Sequence, residues 1–445
     1  MLRGAKGKII LTAMLCTLCL LSNATEFKLK ELLTEQDKLW ENSAKDFILK
    51  CGWKKFKWNS AQKDSLYYSA TQGSKVTLGK LRIIEIVVRF KANRLQRLEI
   101  SLYNRGDVGE LSEELFEKKI ITIKQYLNKI FKYKQTPKKR RKRLAGSMIL
   151  YSIWSTPSSI AKLRWSLSKI ARHDRPEFIS LYLYSKQAKI QSTKASVNKK
   201  LLPERLLTAK GGGKYINLPM VDQGAKGYCV VAVLERVMKY YGSDIDQHLL
   251  AELAKSSATN GTNVKAMVRA LAKADSKLGV KFKKLYENRD LFNYSKFSTM
   301  LKNYNKLARK FHKKRLSMNL FVTNSNNGGS YDPLKFLYLA DPTVFAKMRM
   351  KYYKSDAKRF FRDIEKYTLR GLPVIWCVQL GIFSEQGLPQ TKGGHMRLIT
   401  GFDRKAKSIF YSDSWGKGHE LKKMPYNQAW AITTGTYLMP PRFQH

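Results

Sequence analysis

The sequence predicts an α+β fold, with a separate N-terminal α+β domain and a C-terminal domain that combines a helical half with an antiparallel-sheet half. Apolar residues alternate with polar ones in several segments and recur at helical spacing in others. A Gly-rich stretch near the middle separates the two regions. The chain has 445 residues, 43% of them hydrophobic, which suffices for two domains with apolar cores.

The N-terminal segment is typical of a secretory signal peptide. A basic stub precedes an uncharged apolar run from Ile9 to Ser22, and small residues lead to a cleavage site after Ala24. The apolar run is shorter than the roughly 20 residues that span a bilayer. We therefore expect residues 1–24 to be removed on export to the periplasm or the cell exterior, which leaves no membrane span. An uncleaved anchor is the alternative.

Residues 25–190 are predicted to form a basic α+β domain. Alternating apolar residues indicate a hairpin of two strands, 84–90 and 98–102. Apolar positions at helical spacing indicate a helix from Leu115 to Phe131, and further strands are expected at 148–154 and 178–184. The segment carries no chemical motif. Whether it is a prosegment, a targeting module or a substrate-binding module stays open.

Two polar segments are expected to lie outside regular structure. Lys, Ser, Gln and Thr are frequent from residue 186 onwards and the stretch ends in Gly211-Gly212-Gly213, so residues 191–213 are predicted to be a linker. Lys138 to Arg143 is an unbroken run of basic residues after Pro137. We interpret this run as a solvated loop.

Residues 214–445 are predicted to form the second domain. A helix should begin at Cys229, run to Tyr241 and stop at Gly242, because Gly is a common C-terminal signal. Apolar patterning then predicts two more helices and four strands. The helices are expected at 246–255 and 264–278, and the strands at 373–380, 395–402, 408–412 and 431–439.

The composition limits the kinds of partner that the chain can bind and the disulfide bonds that it can form. Lys and Arg number 84 against 34 Asp and Glu, which gives a formal net charge of +50 and favours anionic surfaces or polymers without choosing among them. Cleavage of the signal would leave Cys51, Cys229 and Cys377. Three thiols in so long a chain exclude a disulfide scaffold and leave at least one of them free.

The stretch from Gln223 to Cys229 is the strongest chemical signal in the chain. A thiol at the start of a helix lies at the positive end of the helix dipole, which favours the nucleophilic thiolate. Gly224 and Gly227 let the loop bend tightly. An amide six positions before the thiol, together with the backbone N–H of Cys229, suits an oxyanion hole. The alternative reading is a buried structural thiol.

A thiolate nucleophile needs a base that exchanges protons near neutral pH, and His395 is the best candidate. Gly393 and Gly394 precede it and an apolar strand follows, whereas His419 is the competing histidine, in mobile Gly-rich surroundings. Asp413 ends the next strand. Its carboxylate is placed to orient the imidazole, and Trp415 to shield their contact from water.

The order Gln, Cys, His, Asp, with Asp413-Ser414-Trp415-Gly416 after the His strand, resembles the papain-like cysteine peptidases, most closely the bacterial C39-like group. The resemblance covers residues 214–445 and implies a papain-like C39-like peptidase domain. It implies Cys229 as nucleophile, His395 as general base and acid, Asp413 as orienting residue and Gln223 as oxyanion donor. Papain has Asn where Asp413 stands, and the basic stretch 278–366 does not map onto the family core.

Three functions remain open at this point. The first is hydrolysis of peptide bonds through a thioester acyl-enzyme, with a protein or peptide as substrate. The second is acyl transfer or amidase activity by the same chemistry, and the third is an inactive protein that binds anionic polymers through its basic surface. No metal-ligand spacing or cofactor motif occurs, so no metal and no cofactor are expected. The sequence does not indicate the oligomeric state.

Overall fold

A computed structural model shows a mixed protein of α-helices and mainly antiparallel sheets, as expected for the α+β class. It describes residues 27–28, 36–50, 56–70, 76–78, 81–144, 147–170, 173–188, 195–223, 228–243, 245, 250–251, 267, 276, 278–323, 330–388 and 392–442. The predicted signal peptide and nearly all of the helices predicted at 246–255 and 264–278 lie outside the described residues. No described helix is long and apolar enough to cross a membrane.

The N-terminal region is built on an antiparallel sheet of eight strands in the order β2-β3-β6-β7-β11-β10-β9-β8. Strands β1, β4 and β5 form a separate three-stranded sheet in the order β1-β4-β5. The strands in chain order are β1 Phe27–Lys28, β2 Lys57–Trp58, β3 Ser65–Ser69, β4 Val76–Leu78, β5 Leu81–Arg82, β6 Glu85–Lys91, β7 Arg94–Asn104, β8 Arg140–Leu144, β9 Ser147–Ser155, β10 Ser159–Ile170 and β11 His173–Ser185.

The predicted hairpin is present as β6 and β7. Ala92 and Asn93 both have positive φ at the turn between them, at 48° and 58°, as in the tight turns that suit the twist of a hairpin. The predicted strands at 148–154 and 178–184 lie within β9 and β11. Strand β10, which joins them, was not predicted from the sequence.

One face of this sheet is apolar and is covered by helices. The helices are α1 Gln36–Leu39, α2 Ala44–Lys50, α3 Arg105–Val108 and α4 Glu113–Phe131. Ser112 caps α4 by accepting a hydrogen bond from the Leu115 N–H, and Phe116, Ile120, Ile123, Leu127 and Phe131 form its buried stripe. The predicted helix at 115–131 is therefore observed, and it packs on the sheet with the core that the spacing indicates.

The opposite face of the same sheet is polar, yet it is buried against the C-terminal half. Glu99 on β7 forms ion pairs with Arg89 and Arg97, and Arg89 also approaches Glu235 at 3.9 Å. A cavity of about 30 Å³, the size of one water molecule, lies in this contact. Within the C-terminal half, Lys239 forms an ion pair with Glu235. Charged groups therefore form much of the contact between the two halves.

Part of the predicted linker is ordered. Lys199–Arg205 is a 3₁₀-helix with Leu202 fully buried, and β12 (Leu206–Thr208) pairs with β13 (Lys214–Ile216) at the edge of the C-terminal sheet. The polar composition concealed Leu202, whose side chain enters the C-terminal core. The basic run is only partly a loop: Lys138 and Lys139 lie outside regular structure, and residues 140–143 belong to the edge strand β8. An edge strand is open to solvent and accommodates exposed basic side chains. A basic composition therefore does not distinguish such a strand from a loop.

The C-terminal half contains the second eight-stranded antiparallel sheet. Its main path is β12-β13-β18-β17-β21-β14, with β19 pairing β18 and β20 pairing β19. Strands β15 and β16 form a separate two-stranded sheet. The strands not yet given are β14 Lys283–Glu287, β15 Val322–Thr323, β16 Ser330–Tyr331, β17 Val374–Leu380, β18 Gly393–Asp403, β19 Ser408–Ser412, β20 Lys422–Pro425 and β21 Thr433–Leu438. All four predicted strands match to within two residues; the last starts two residues later than predicted, since Ala431 belongs to a helix.

Helices pack on this sheet and supply the rest of its core. They are α5 Cys229–Tyr240, α6 Tyr294–Lys310, α7 Pro333–Leu339, α8 Pro342–Tyr352, α9 Lys354–Thr368 and α10 Tyr426–Ile432, with short 3₁₀-helices at Asp290–Phe292 and Met318–Leu320. The predicted helix at 229–241 is α5, and Gly242 ends it with φ +74°. Because α5 is buried on nearly every side, it forms the centre of the C-terminal core.

A glycine on β18 allows β13 to reach the sheet. A Cβ at Gly401 would lie 2.2 Å from the Lys214 carbonyl oxygen, so Gly401→Ala should lower the free energy of unfolding by about 1–3 kcal/mol. Gly394 on the same strand faces open space, and Gly394→Ala should change it by less than about 0.5 kcal/mol. Urea unfolding of both variants checks this, and equal effects would contradict the close approach of β13.

Candidate active site

Cys229 is the first residue of α5 and is partly exposed. The residue before it, Tyr228, is buried and makes no side-chain cap to the helix. The N–H groups of the first helical turn have no partners within a helix, so the backbone N–H of Cys229 belongs to the positive end of the dipole. The thiol therefore lies where the sequence predicted, at the entry of a buried helix and accessible from outside.

His395 and Asp413 meet inside the C-terminal sheet. His395 lies near the start of β18 and Asp413 directly follows β19, two strands that are paired along most of their length. The ring donates a hydrogen bond from Nε2 to Asp413 Oδ1 at 2.6 Å, and both side chains are fully buried. The structure thus joins these two residues, which are 18 positions apart in the chain.

The thiol of Cys229 is the other polar neighbour of the His395 ring. Burial opposes protonation of the imidazole, but the charge and hydrogen bond of Asp413, with a smaller contribution from Cys229, raise the pKa of His395 to about 9. Asp413 occupies Nε2, so Nδ1 is left for Cys229. Within the described part of the chain, Nδ1 has no hydrogen bond of its own.

Trp415 covers the contact between His395 and Asp413. Its ring stacks on the imidazole with centroids 5.4 Å apart and planes inclined by 14°. The stacked indole keeps water from this side of the ring, and His395 as a whole is only 4% exposed. The shielding expected for Trp415 is present.

Asp413 accepts hydrogen bonds from Arg397 and from a backbone N–H, in addition to the one from His395. Arg397 donates from Nε to Asp413 Oδ2 at 2.7 Å, and the Ser414 N–H donates to Oδ1 at 2.9 Å. Burial of the carboxyl opposes its ionisation, but His395 and Arg397 hold the pKa of Asp413 well below its ordinary range. Asp413 is therefore a buried carboxylate that stays charged at neutral pH.

Arg397 is itself neutralised by a second carboxylate. It donates from Nη1 to both oxygens of Glu385 at 2.9 and 3.1 Å, and Tyr411 donates to Glu385 at 2.6 Å. The guanidinium also lies 4.8 Å from the centroid of the Tyr411 ring. The polar network thus runs from His395 through Asp413 and Arg397 to Glu385.

A further arginine connects the helix of Cys229 to the loop of Asp413. Arg236 on α5 is fully buried and donates to the backbone oxygen of Asp413 at 2.9 Å and to the Ser412 hydroxyl. It also donates to the Pro219 oxygen at 2.9 Å. Burial lowers the pKa of Arg236 to about 10. Both ends of the site are consequently fixed by one side chain.

Gln223 lies beside the same loop. Its backbone N–H donates to the Ser414 oxygen at 2.9 Å, and the side chain is buried, with residues 224–227 outside the described part. Its side-chain oxygen has no hydrogen-bond partner among the described residues.

His419 does not replace His395. Its backbone oxygen accepts from the Asp413 N–H at 2.9 Å, so it supports the loop with its main chain. Burial, with the charge of Lys422, lowers the pKa of its ring. In the described structure, the Asp413 carboxylate is therefore hydrogen-bonded to His395 and not to His419.

Sequence reasoning missed the two arginines and Glu385. Arg397 follows His395 by two residues on a strand, so both point to the same face, which was a detectable signal. Arg236 stood out less, because it is one of two cations in the helix and directly follows Glu235. Within the described ranges, no group of three or more His, Cys, Asp or Glu side chains could hold a metal ion.

Residues 300–438 match the model of the peptidase C39 like family. The resemblance of the C-terminal half to this group is thereby confirmed. The matched segment contains His395 and Asp413, whereas Cys229 and Gln223 precede it. It also includes most of the stretch 278–366 that the sequence left unassigned, so helices α6 to α9 fall mainly within the family match. A search of curated proteins gives no match.

The raised pKa of His395 gives a direct test of its contact with Asp413. Because the folded pKa is about 9 and the ordinary value is about 6.5, the pair stabilises the fold fully below about pH 6.5 and loses this contribution as pH rises through about 9. Asp413→Asn should lower the pKa of His395 below about 6.5, since burial remains and the charge is gone. NMR titration of the ring protons measures it.

Asp403→Asn is the matched control for this titration. Asp403 ends the same strand and pairs with Lys423 instead of the histidine. The His395 ring should still titrate near pH 9 in that variant. A titration near pH 9 in Asp413→Asn as well would show that the carboxylate does not set the pKa of the ring.

Arg397 is expected to keep Asp413 ionised. Arg397→Gln should lower the free energy of unfolding at neutral pH by about 3–5 kcal/mol, because the fully buried Asp413 and the partly buried Glu385 lose their shared cation. The pKa of Asp413 should rise, so acid unfolding should occur at a higher pH than in the unchanged protein. Arg404→Gln, at an exposed pair with Glu365, should leave both nearly unchanged. Circular dichroism across pH distinguishes these outcomes; identical acid midpoints would refute the role of Arg397.

Proposed function

From the family match of residues 300–438 and the meeting of Cys229, His395 and Asp413, we propose that this protein is an exported cysteine peptidase. It hydrolyses peptide bonds through a thioester acyl-enzyme. The observation that carries the proposal is the buried His395–Asp413 hydrogen bond, with the thiol of Cys229 at the remaining side of the ring. The proposed substrate is a protein or peptide.

The first half-reaction forms the acyl-enzyme. The sulfur of Cys229 attacks the carbonyl carbon, and the oxygen takes the negative charge as the C–S bond forms. Protonated His395 then gives its Nδ1 proton to the leaving nitrogen, and the C–N bond breaks to release the amine. A histidine whose pKa is about 9 is protonated at neutral pH and therefore ready to act as this acid.

The oxyanion is proposed to be stabilised by two N–H donors. One is the backbone N–H of Cys229, free of helical partners at the start of α5. The other is the side-chain NH2 group of Gln223, a buried residue that is bonded to the loop of Asp413 through its backbone N–H. Removing one such donor typically lowers kcat by about 10²–10³.

The second half-reaction releases the acid product. Neutral His395 takes a proton from water through Nδ1 as the water oxygen attacks the thioester carbon. The C–S bond breaks, the carboxylic acid leaves, and the proton on His395 is again paired with the thiolate. Asp413 stabilises the imidazolium in both steps and does not itself exchange the proton.

The overall arrangement proposed is papain-like. Helix α5 supplies Cys229, and the antiparallel sheet supplies His395 and Asp413 from β18 and the end of β19. The N-terminal region has its own apolar core, which supports a separate domain at residues 25–190. Export rests on the N-terminal pattern of residues 1–24, and the net charge of +50 favours contact with anionic surfaces.

Thiol labelling tests the proposed nucleophile. With an iodoacetamide-type probe, Cys229 should be labelled rapidly below pH 7, and His395→Ala should slow this reaction at least about tenfold, because the thiolate loses its imidazolium partner. Cys229→Ala should abolish peptide hydrolysis and retain the fold. Peptide hydrolysis by the unchanged protein should fall as pH rises through about 9, where His395 loses its proton.

Cys377→Ala is the matched control. Cys377 is buried, and burial raises the pKa of its thiol, so it should react slowly and its loss should not affect hydrolysis. Mass spectrometry of the labelled peptides assigns each thiol. Labelling of Cys229 as slow as that of Cys377 and independent of His395 would contradict the peptidase and favour a protein that binds anions.

A further inference from the structure

The N-terminal half contains a groove that the proposed activity does not use. It lies between α4 and the strands β9 and β10 and has a volume of about 820 Å³, within the size range of ligand sites. We call it the helix–sheet groove. Its floor and one wall are apolar, formed mainly by Phe116 and Ile120 of α4 and by Leu150, Trp165 and Leu167 of the sheet.

The basic residues of the groove are gathered at one end. Lys124 Nζ lies 4.7 Å from the centroid of the Trp165 ring. Trp165 pairs with Leu150, and Leu150 with Arg141, so these three residues form one row across the sheet. Burial and the charge of Lys139 lower the pKa of Lys124, which places Lys139 at the same end.

The direction of α4 relative to the sheet follows from a second contact. Asn128, one turn after Lys124, accepts a hydrogen bond from Trp154 at 2.8 Å. Trp154 pairs with Ala161, which precedes Trp165 by four residues on β10. Helix α4 and strand β10 therefore run in opposite directions, and the start of α4 lies towards the end of β10.

The acidic residues of the groove are consequently at the other end. Glu113 and Glu117 precede Lys124 by about 16 and 10 Å along the helix axis, at about 1.5 Å per residue. Asp174 pairs with Lys169, which lies four positions after Trp165 and about 13 Å further along the sheet. In the described part of the chain, no ion pair joins the acidic set to the basic set.

We propose that the helix–sheet groove binds a short extended peptide with a cationic end, an apolar middle and an anionic end. The distance of about 13 Å between the charged ends corresponds to about four extended residues at roughly 3.3 Å each. An acyl chain with one anionic head would place its tail against three carboxylates, so charge complementarity favours the dipolar peptide. The site is independent of Cys229.

Binding is tested by calorimetry on full-length Cys229→Ala protein, in which hydrolysis cannot consume the probe. The probe is the peptide Lys-Leu-Phe-Leu-Glu with free termini. The same peptide with Gln at both charged positions and blocked termini should bind at least about tenfold more weakly, and added salt should reduce this difference. Because binding is measured without turnover, its failure and a failure of the proposed peptidase activity are separate results.

Charge reversal at exposed positions locates the peptide. Arg141→Glu and Glu117→Lys should each weaken binding of the charged peptide by about threefold to tenfold. Lys118→Glu and Glu114→Lys, exposed on the same helix but outside the groove, are the matched controls and should change it little. Circular dichroism confirms that each variant is folded.

Three results would overturn the proposal. Equal affinity for the charged and the neutral peptide would exclude recognition by the two charged ends. Equal effects of the groove variants and their controls, or no binding at all, would exclude the groove as the site. Tighter binding of dodecanoate than of the charged peptide would identify an acyl-chain site instead.

Discussion

The C-terminal half depends on one buried carboxylate. Removing an ion from water costs several kcal/mol even after the protein relaxes, so Asp413 must be compensated wherever it is fully buried. His395 and Arg397 each bond one of its oxygens, and both come from the same face of β18. The pairing of β18 with β19 is what brings carboxylate and cations together. The register of β18 with β19, the burial of Asp413 and the pairing of its charge therefore depend on one another.

The same carboxylate residue also fixes the helix that carries the thiol. Arg236 reaches from α5 to the backbone oxygen of Asp413, and Gln223 bonds the next residue of the loop through its main chain. Helix and sheet are thus joined by polar contacts inside an apolar core, where an unpaired arginine would be costly. This connection helps to hold Cys229 beside the His395 ring. Reactive groups on different elements need such support to keep their relative position.

The sequence allowed the elements with clear periodicity to be predicted, and it failed where polar residues are buried. Apolar spacing identified α4 and α5, and local motifs identified Cys229, His395 and Asp413 as neighbours. Leu202 was overlooked inside a polar segment, and the basic run became the edge strand β8 because composition does not report strand pairing. Arg397 was missed although it shares a strand face with His395, since its two carboxylate partners, Asp413 and Glu385, come from other segments of the chain.

The N-terminal sheet shows why its role was harder to infer. An antiparallel sheet with one apolar and one polar face normally turns the polar face to water. Here that face carries Glu99 with its arginines and packs on the C-terminal half near Glu235, a contact that alternation alone does not reveal. Burial raises the pKa of Glu235. Burial acts in the same direction on Glu99, but Arg89 and Arg97 lower its pKa, so the two carboxylates of this contact have different environments. Contacts of this kind attach the sheet to the helix of Cys229 and leave its other face, with the helix–sheet groove, directed away from that contact.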